Sequence, residues 1–84
     1  MADVMVKAAT LSEGRIQSMT VGFHGLPDRE IDRDTALAWM KDGHSLIPVR
    51  AGRRLHALQL VEVDEQHVIR HDNVPSDEDA VPEL

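Results

Sequence analysis

The chain has 84 residues, of which 42% are hydrophobic and 29% charged, with a formal net charge of −6. That length makes one small domain of modest stability, burying only ~60–65% of the surface of its unfolded chain. Two aromatic residues, Phe23 and Trp39, and no cysteine rule out disulfides, thiolate metal sites and a cysteine nucleophile, and leave an aliphatic core too thin for the ~300 Å³ pocket of most free-standing enzymes.

Residues 3–10 carry Val4 and Val6, whose β-branching favours a short strand over a helix. Leu11-Ser12-Glu13-Gly14 supplies turn residues, with Gly14 free to take a positive φ. From Arg15 to Phe23, Met19, Val21 and Phe23 alternate with Ser18 and Thr20, which predicts a second strand and a hairpin. Gly25 and Pro27 mark His24 to Glu30 as a loop.

Asp32 is placed to cap a helix, since its carboxylate can accept from the free amides of the first turn. Asp34 adds favourable charge there. Ala36, Leu37, Trp39 and Met40 form one apolar face and Gly43 a stop, predicting a helix over 33–42. Trp39 is expected to anchor that helix on the sheet, with its Nε1–H reaching an acceptor at the core's edge. Ser45–Arg50, the turn Ala51-Gly52, Arg54–Asp64 and His67–His71 then read as a three-stranded antiparallel meander. The expected architecture is α+β: a small antiparallel sheet, made of a hairpin and a three-stranded meander, with one helix packed on a face.

Charge is unevenly placed. Residues 73–84 carry Asp77, Glu78, Asp79 and Glu83 and no basic residue, while the rest of the chain is nearly balanced. With Pro75 and Pro82 as well, this stretch reads as a mobile acidic tail on a body of residues 1–72. No apolar run approaches the ~18 residues of a membrane helix, and Asp3 and Lys7 interrupt any signal-like core. A cytoplasmic protein with no membrane contact is expected.

From residue 34 to 84 the chain resembles a family of short bacterial domains of unknown function. Thr35, Ala36, Trp39 and Gly43 on the helix carry the resemblance, with Gly52 and Arg53 at the hairpin, Ile69-Arg70 in the last strand, and Asp79 and Pro82 at the end. The chain departs from that pattern in closing on Val81-Pro82-Glu83-Leu84. The resemblance implies a small bacterial α+β domain whose end can fold back, and it implies no activity.

Three kinds of chemistry compete with plain surface roles. Five histidines (His24, His44, His56, His67 and His71) suggest a metal, but His67 and His71 would lie ~13 Å apart on a strand, and solvated histidines are the simpler reading. No cofactor or bound metal is expected. Ser12, Ser18, Ser45 and Ser76 lack a nucleophile motif, so no catalytic residues are assigned and the chain is read as no enzyme. Arg50, Arg53 and Arg54 surround a hairpin turn and could hold phosphate or nucleic acid, with Arg70 one strand away. Nucleic acid is disfavoured by a slightly acidic body whose two aromatics read as core. The acidic stretch could instead fold back onto these arginines. The reading that remains is a non-enzymatic protein-interaction module. It would bind a partner or a second copy of itself through an edge strand or the acidic tail. The residues expected at such a contact are Arg50, Arg53, Arg54, Arg70, Asp77, Glu78 and Asp79.

Overall fold

The computed structural model describes residues 2–84. It holds eight elements: β1 (Asp3–Ser12), β2 (Arg15–Gly22), β3 (Arg29–Asp32), α1 (Arg33–Lys41), β4 (Ser45–Arg50), β5 (Arg53–Arg54), β6 (Gln59–Val63) and β7 (Gln66–Arg70). The α+β class holds. The strands form a five-stranded sheet in the order β3-β2-β1-β4-β5, and β6 and β7 form a second, two-stranded one.

The first hairpin forms as its residues dictate. Glu13 and Gly14 turn with φ of 52° and 75°, the left-handed pair that suits a two-residue hairpin. β1 pairs with β2 through register shifts between Val6 and Ala8 and between Thr10 and Leu11. Such bulges change which residues face inward, so Val6 and Ala9 both reach the core.

Beyond β2 the chain departs from expectation. The segment expected as a loop up to Glu30 becomes strand from Arg29, because β3 pairs along β2 from Val21 to Ser18 and sets Ile31 into the core. The expected purely antiparallel sheet is mixed, since β4 runs parallel to β1 from Asp3↔Ser45 to Val6↔Pro48. A parallel pair needs a long crossover, and β2, β3 and α1 together provide it.

The predicted meander is also split. β4 and β5 form a short hairpin about Ala51 and Gly52. The chain then follows β4 irregularly, with the Leu55 and Leu58 amides donating to the carbonyls of Pro48 and Leu46. Pro48 has no amide, so β4 cannot present a full ladder on both sides. β6 and β7 then pair only with each other, around a two-residue turn at Asp64 and Glu65.

Helix α1 matches its predicted span to one residue. Asp32 accepts from the Thr35 amide at 2.8 Å, and Asp42 ends the helix just before Gly43, whose φ is 95°. The capping bond holds the Asp32 carboxyl below the usual range. Ala36, rather than Trp39, is the buried residue of the helix. Trp39 is half-buried, with its ring edge-on to Phe23 at 5.7 Å and the Arg29 guanidinium 5.8 Å from its centre. The core lies between α1, the inner sheet face and the β6–β7 hairpin, where Val6, Met19, Val21, Leu46 and Ile69 are nearly sealed from solvent.

Candidate interaction surfaces

The acidic stretch does not stand apart from the body. In a two-residue hairpin, the residues flanking the turn exchange both hydrogen bonds and the next pair exchanges none. Leu11 and Ile16 are such a non-bonded pair in β1–β2, and Leu60 and Ile69 in β6–β7. The amides of Ile16 and Ile69 therefore point out of their own hairpins, and the Asp79 carboxylate lies between them. Oδ2 accepts from the Ile16 amide at 2.8 Å and from Arg33 Nε at 2.7 Å. Oδ1 accepts from the Ile69 amide at 3.0 Å and from Arg33 Nη2 at 3.0 Å.

Four N–H groups thus fill the four lone-pair sites of one carboxylate, whose side chain is 0% exposed. Burial pushes this carboxyl upward, but Arg33 and the two amides outweigh it and hold it below the ordinary range. Around it, the Asp79 amide donates to the Gly14 carbonyl and the Ala80 amide to the Ile69 carbonyl. The His71 amide donates to the Ala80 carbonyl, and Val81 packs on the core. Asp79 is a joint between two sheets.

This corrects the expectation for the tail. Residues 79–81 are held because the outward amides of β2 and β7 are buried and need acceptors. Asp79 cannot reach an outside partner. Neither can Arg70, which is 8% exposed: its Nε and Nη2 donate to Asp72 and its Nη1 to the Glu78 carbonyl. The bond to Arg70 lowers the Asp72 carboxyl. The acidic stretch does fold back, onto Arg33, Arg70 and Arg15, whose Nη1 donates to the Asp77 carbonyl. The fold-back does not involve Arg50, Arg53 or Arg54. Asp77 and Glu78 remain exposed.

Residue types alone missed Arg15 and Arg33 as the partners of this segment. One signal was available, since Asp79 immediately precedes Ala80 and Val81, the only adjacent apolar pair in the stretch.

Arg50, Arg53 and Arg54 do gather at one hairpin. Arg50 lies directly across from Arg53, and Arg54 across from Val49, so Arg54 faces the opposite side of the sheet. There it meets Asp3 at 3.8 Å, both side chains being well exposed.

Among the described residues the unpaired strand edges include β3, β5, β6 and the Lys7–Ser12 half of β1, which β4 does not reach. β3 is four residues long and alternates charge, with Arg29, Glu30 and Asp32, while β5 is two arginines. Shortness and charge are the usual protection of an edge. β6 is longer and carries a single charge, Glu62, among Gln59, Leu60, Val61 and Val63. The hairpin alternation turns the N–H and C=O of Leu60 and Glu62 away from β7. The far edge of β7 is closed, because its outward groups bond to Arg33, Asp79 and Ala80.

The histidines are dispersed. His44 Nδ1 accepts from the Ala2 amide at 3.0 Å, His67 lies 3.8 Å from Glu62 and His71 3.7 Å from Asp72. Among the described residues no three His, Asp or Glu side chains converge on a point that could hold a metal ion. An open concavity of about 280 Å³ lies over Met5 and Phe23, flanked by the Lys7–Asp28 and Arg54–Asp3 pairs. A second, of about 220 Å³, is walled by Val4, Phe23, Trp39 and His44. Among the described residues no helix is long and apolar enough to cross a membrane. No family model, curated protein or solved structure matches this chain, so the likeness to short bacterial domains rests on the residues named for it alone.

Proposed function

We propose that this domain is a non-enzymatic protein-interaction module that works by adding a strand to the open edge of β6. The observation that carries the reading is the outward N–H and C=O of Leu60 and Glu62 on a five-residue edge with a single charge. Main-chain hydrogen bonds to such an edge supply affinity, and alternate side chains supply selectivity. Val61 and Val63 are half-buried in the isolated chain, so an added strand gains apolar burial as well. The acidic stretch is less suited to recognition, since much of its backbone is already engaged by Arg15, Arg70 and Gly14.

A second copy of the chain is the first candidate partner. Two β6 strands meeting antiparallel about Val61 place Leu60 of each copy against Glu62 of the other and set no like charges opposite one another. The product is one four-stranded antiparallel sheet. Sedimentation equilibrium on the full chain and on Glu62→Pro tests this. Proline removes an amide that the β6–β7 ladder does not use, so folding is preserved while docking is lost. A dimer, or a captured partner, that disappears in Glu62→Pro supports the reading. A chain that stays monomeric and holds no partner sensitive to Glu62→Pro would sink it.

A further inference from the structure

The β4–β5 hairpin sets two like charges where a sheet least tolerates them. Arg50 and Arg53 flank the turn as direct cross-strand partners on one face, and like charges in that position repel. Both are exposed, and neither has an ion pair or side-chain hydrogen bond among the described residues. Nothing nearby in the chain offsets them: residues 43–61 contain no acidic side chain, although the chain as a whole carries 15. The turn itself is bare, with open space where a side chain at Gly52 would stand. Arg54 differs in just the respect that matters, because it faces the other side of the sheet and has Asp3 for company.

We infer that Arg50 and Arg53 form an anion site that holds one phosphate group of a phosphate-bearing ligand. Cross-strand neighbours of a bonded pair stand ~5.5 Å apart at Cα. Two guanidinium forks can therefore close on a single tetrahedral anion, each giving two N–H bonds to its oxygens. A long polyanion is disfavoured, because it would run on from this tip across a surface of net negative charge. The aromatic rings that might stack bases are engaged with each other, Phe23 against Trp39. The site is separate from the β6 edge and does not depend on it.

The test is a titration of inorganic phosphate into the full chain, following the arginine Nε–H resonances by NMR, with sodium chloride of matched ionic strength as reference. Saturable shifts at Arg50 and Arg53 beyond those of chloride are expected, weakened about tenfold in Arg50→Gln and in Arg53→Gln. Arg54→Gln is expected to keep the affinity within about twofold. Shifts that chloride reproduces would overturn the site, as would an equal loss in Arg54→Gln. A mixed-sequence oligonucleotide that binds more tightly than phosphate and is indifferent to Arg53→Gln would overturn the assignment in favour of a different surface. The tip is exposed and its charges repel, so both variants should melt no lower than the wild type, which separates lost binding from lost folding.

Discussion

Asn in place of Asp79 tests the joint between the two sheets at nearly constant volume. The carboxylate accepts from four N–H groups, two at each oxygen. An amide keeps one acceptor oxygen and turns two N–H groups toward whichever pair of donors faces the other position, so neither flip is tolerated. It also strips the counter-charge from Arg33. Removing one partner of a buried ion pair costs about 3–5 kcal/mol. The Arg33 side chain keeps 22% exposure, so water recovers part of that, and a loss of about 3 kcal/mol is expected. Against a total of order 5–10 kcal/mol for a domain of this size, the melting temperature should fall by roughly 12–24 °C. Urea and thermal unfolding followed by Trp39 fluorescence and circular dichroism give the comparison, with Asp77→Asn, an exposed neighbour, as control. A solvated tail residue would change stability by less than about 0.5 kcal/mol. That result for Asp79→Asn would refute the joint.

Acid should remove the same interaction. The Asp79 carboxyl is depressed in the folded state, so its contribution is full well above the unfolded value near ~3.9 and is lost as the pH falls through the lower folded value. Urea midpoints of wild type and Asp79→Asn should converge on acidification, and a constant gap down to about pH 2 would contradict this. Arg33→Lys should destabilise less than Asp79→Asn, because an ammonium keeps the charge but cannot reproduce the two bonds to Asp79 and the one to the His67 carbonyl. Equal stability to wild type in urea would show that the fork is dispensable. Gly14→Ala should cost about 1–2 kcal/mol through its left-handed backbone, since φ is 75° and the Glu78 carboxylate it would strike can swing aside. An unchanged unfolding midpoint would contradict that.

Local features were the legible ones. Asp32 and Gly43 bracket the helix because capping chemistry acts within a few residues. Gly14 and Gly52 mark their turns for the same reason. Pairings set by distant residues were not legible. Nothing in Val4 or Leu46 announces that their strands run parallel, and a two-residue strand followed by an irregular one looks like a continuous strand in composition. Of the site residues, the grouping of Arg50, Arg53 and Arg54 could be read because a tight hairpin brings them together. The burial of Asp79 is not legible, because net charge describes a segment, whereas that burial follows from two outward amides and a guanidinium contributed by β2, β7 and α1. The pairing of Arg70 is equally illegible, its partner Asp72 lying only two residues on but outside the strand.

Hydrogen exchange at β6 tests the central claim most directly. Val61 and Val63 donate into the ladder with β7, whereas the Leu60 and Glu62 amides face outward. At low protein concentration Leu60 and Glu62 should exchange much faster than Val61 and Val63. Both should become protected as the protein is concentrated, or when the partner strand is bound. Leu60 and Glu62 amides already protected in the dilute monomer would mean that the edge is covered, and the proposed docking strand would have nowhere to bind.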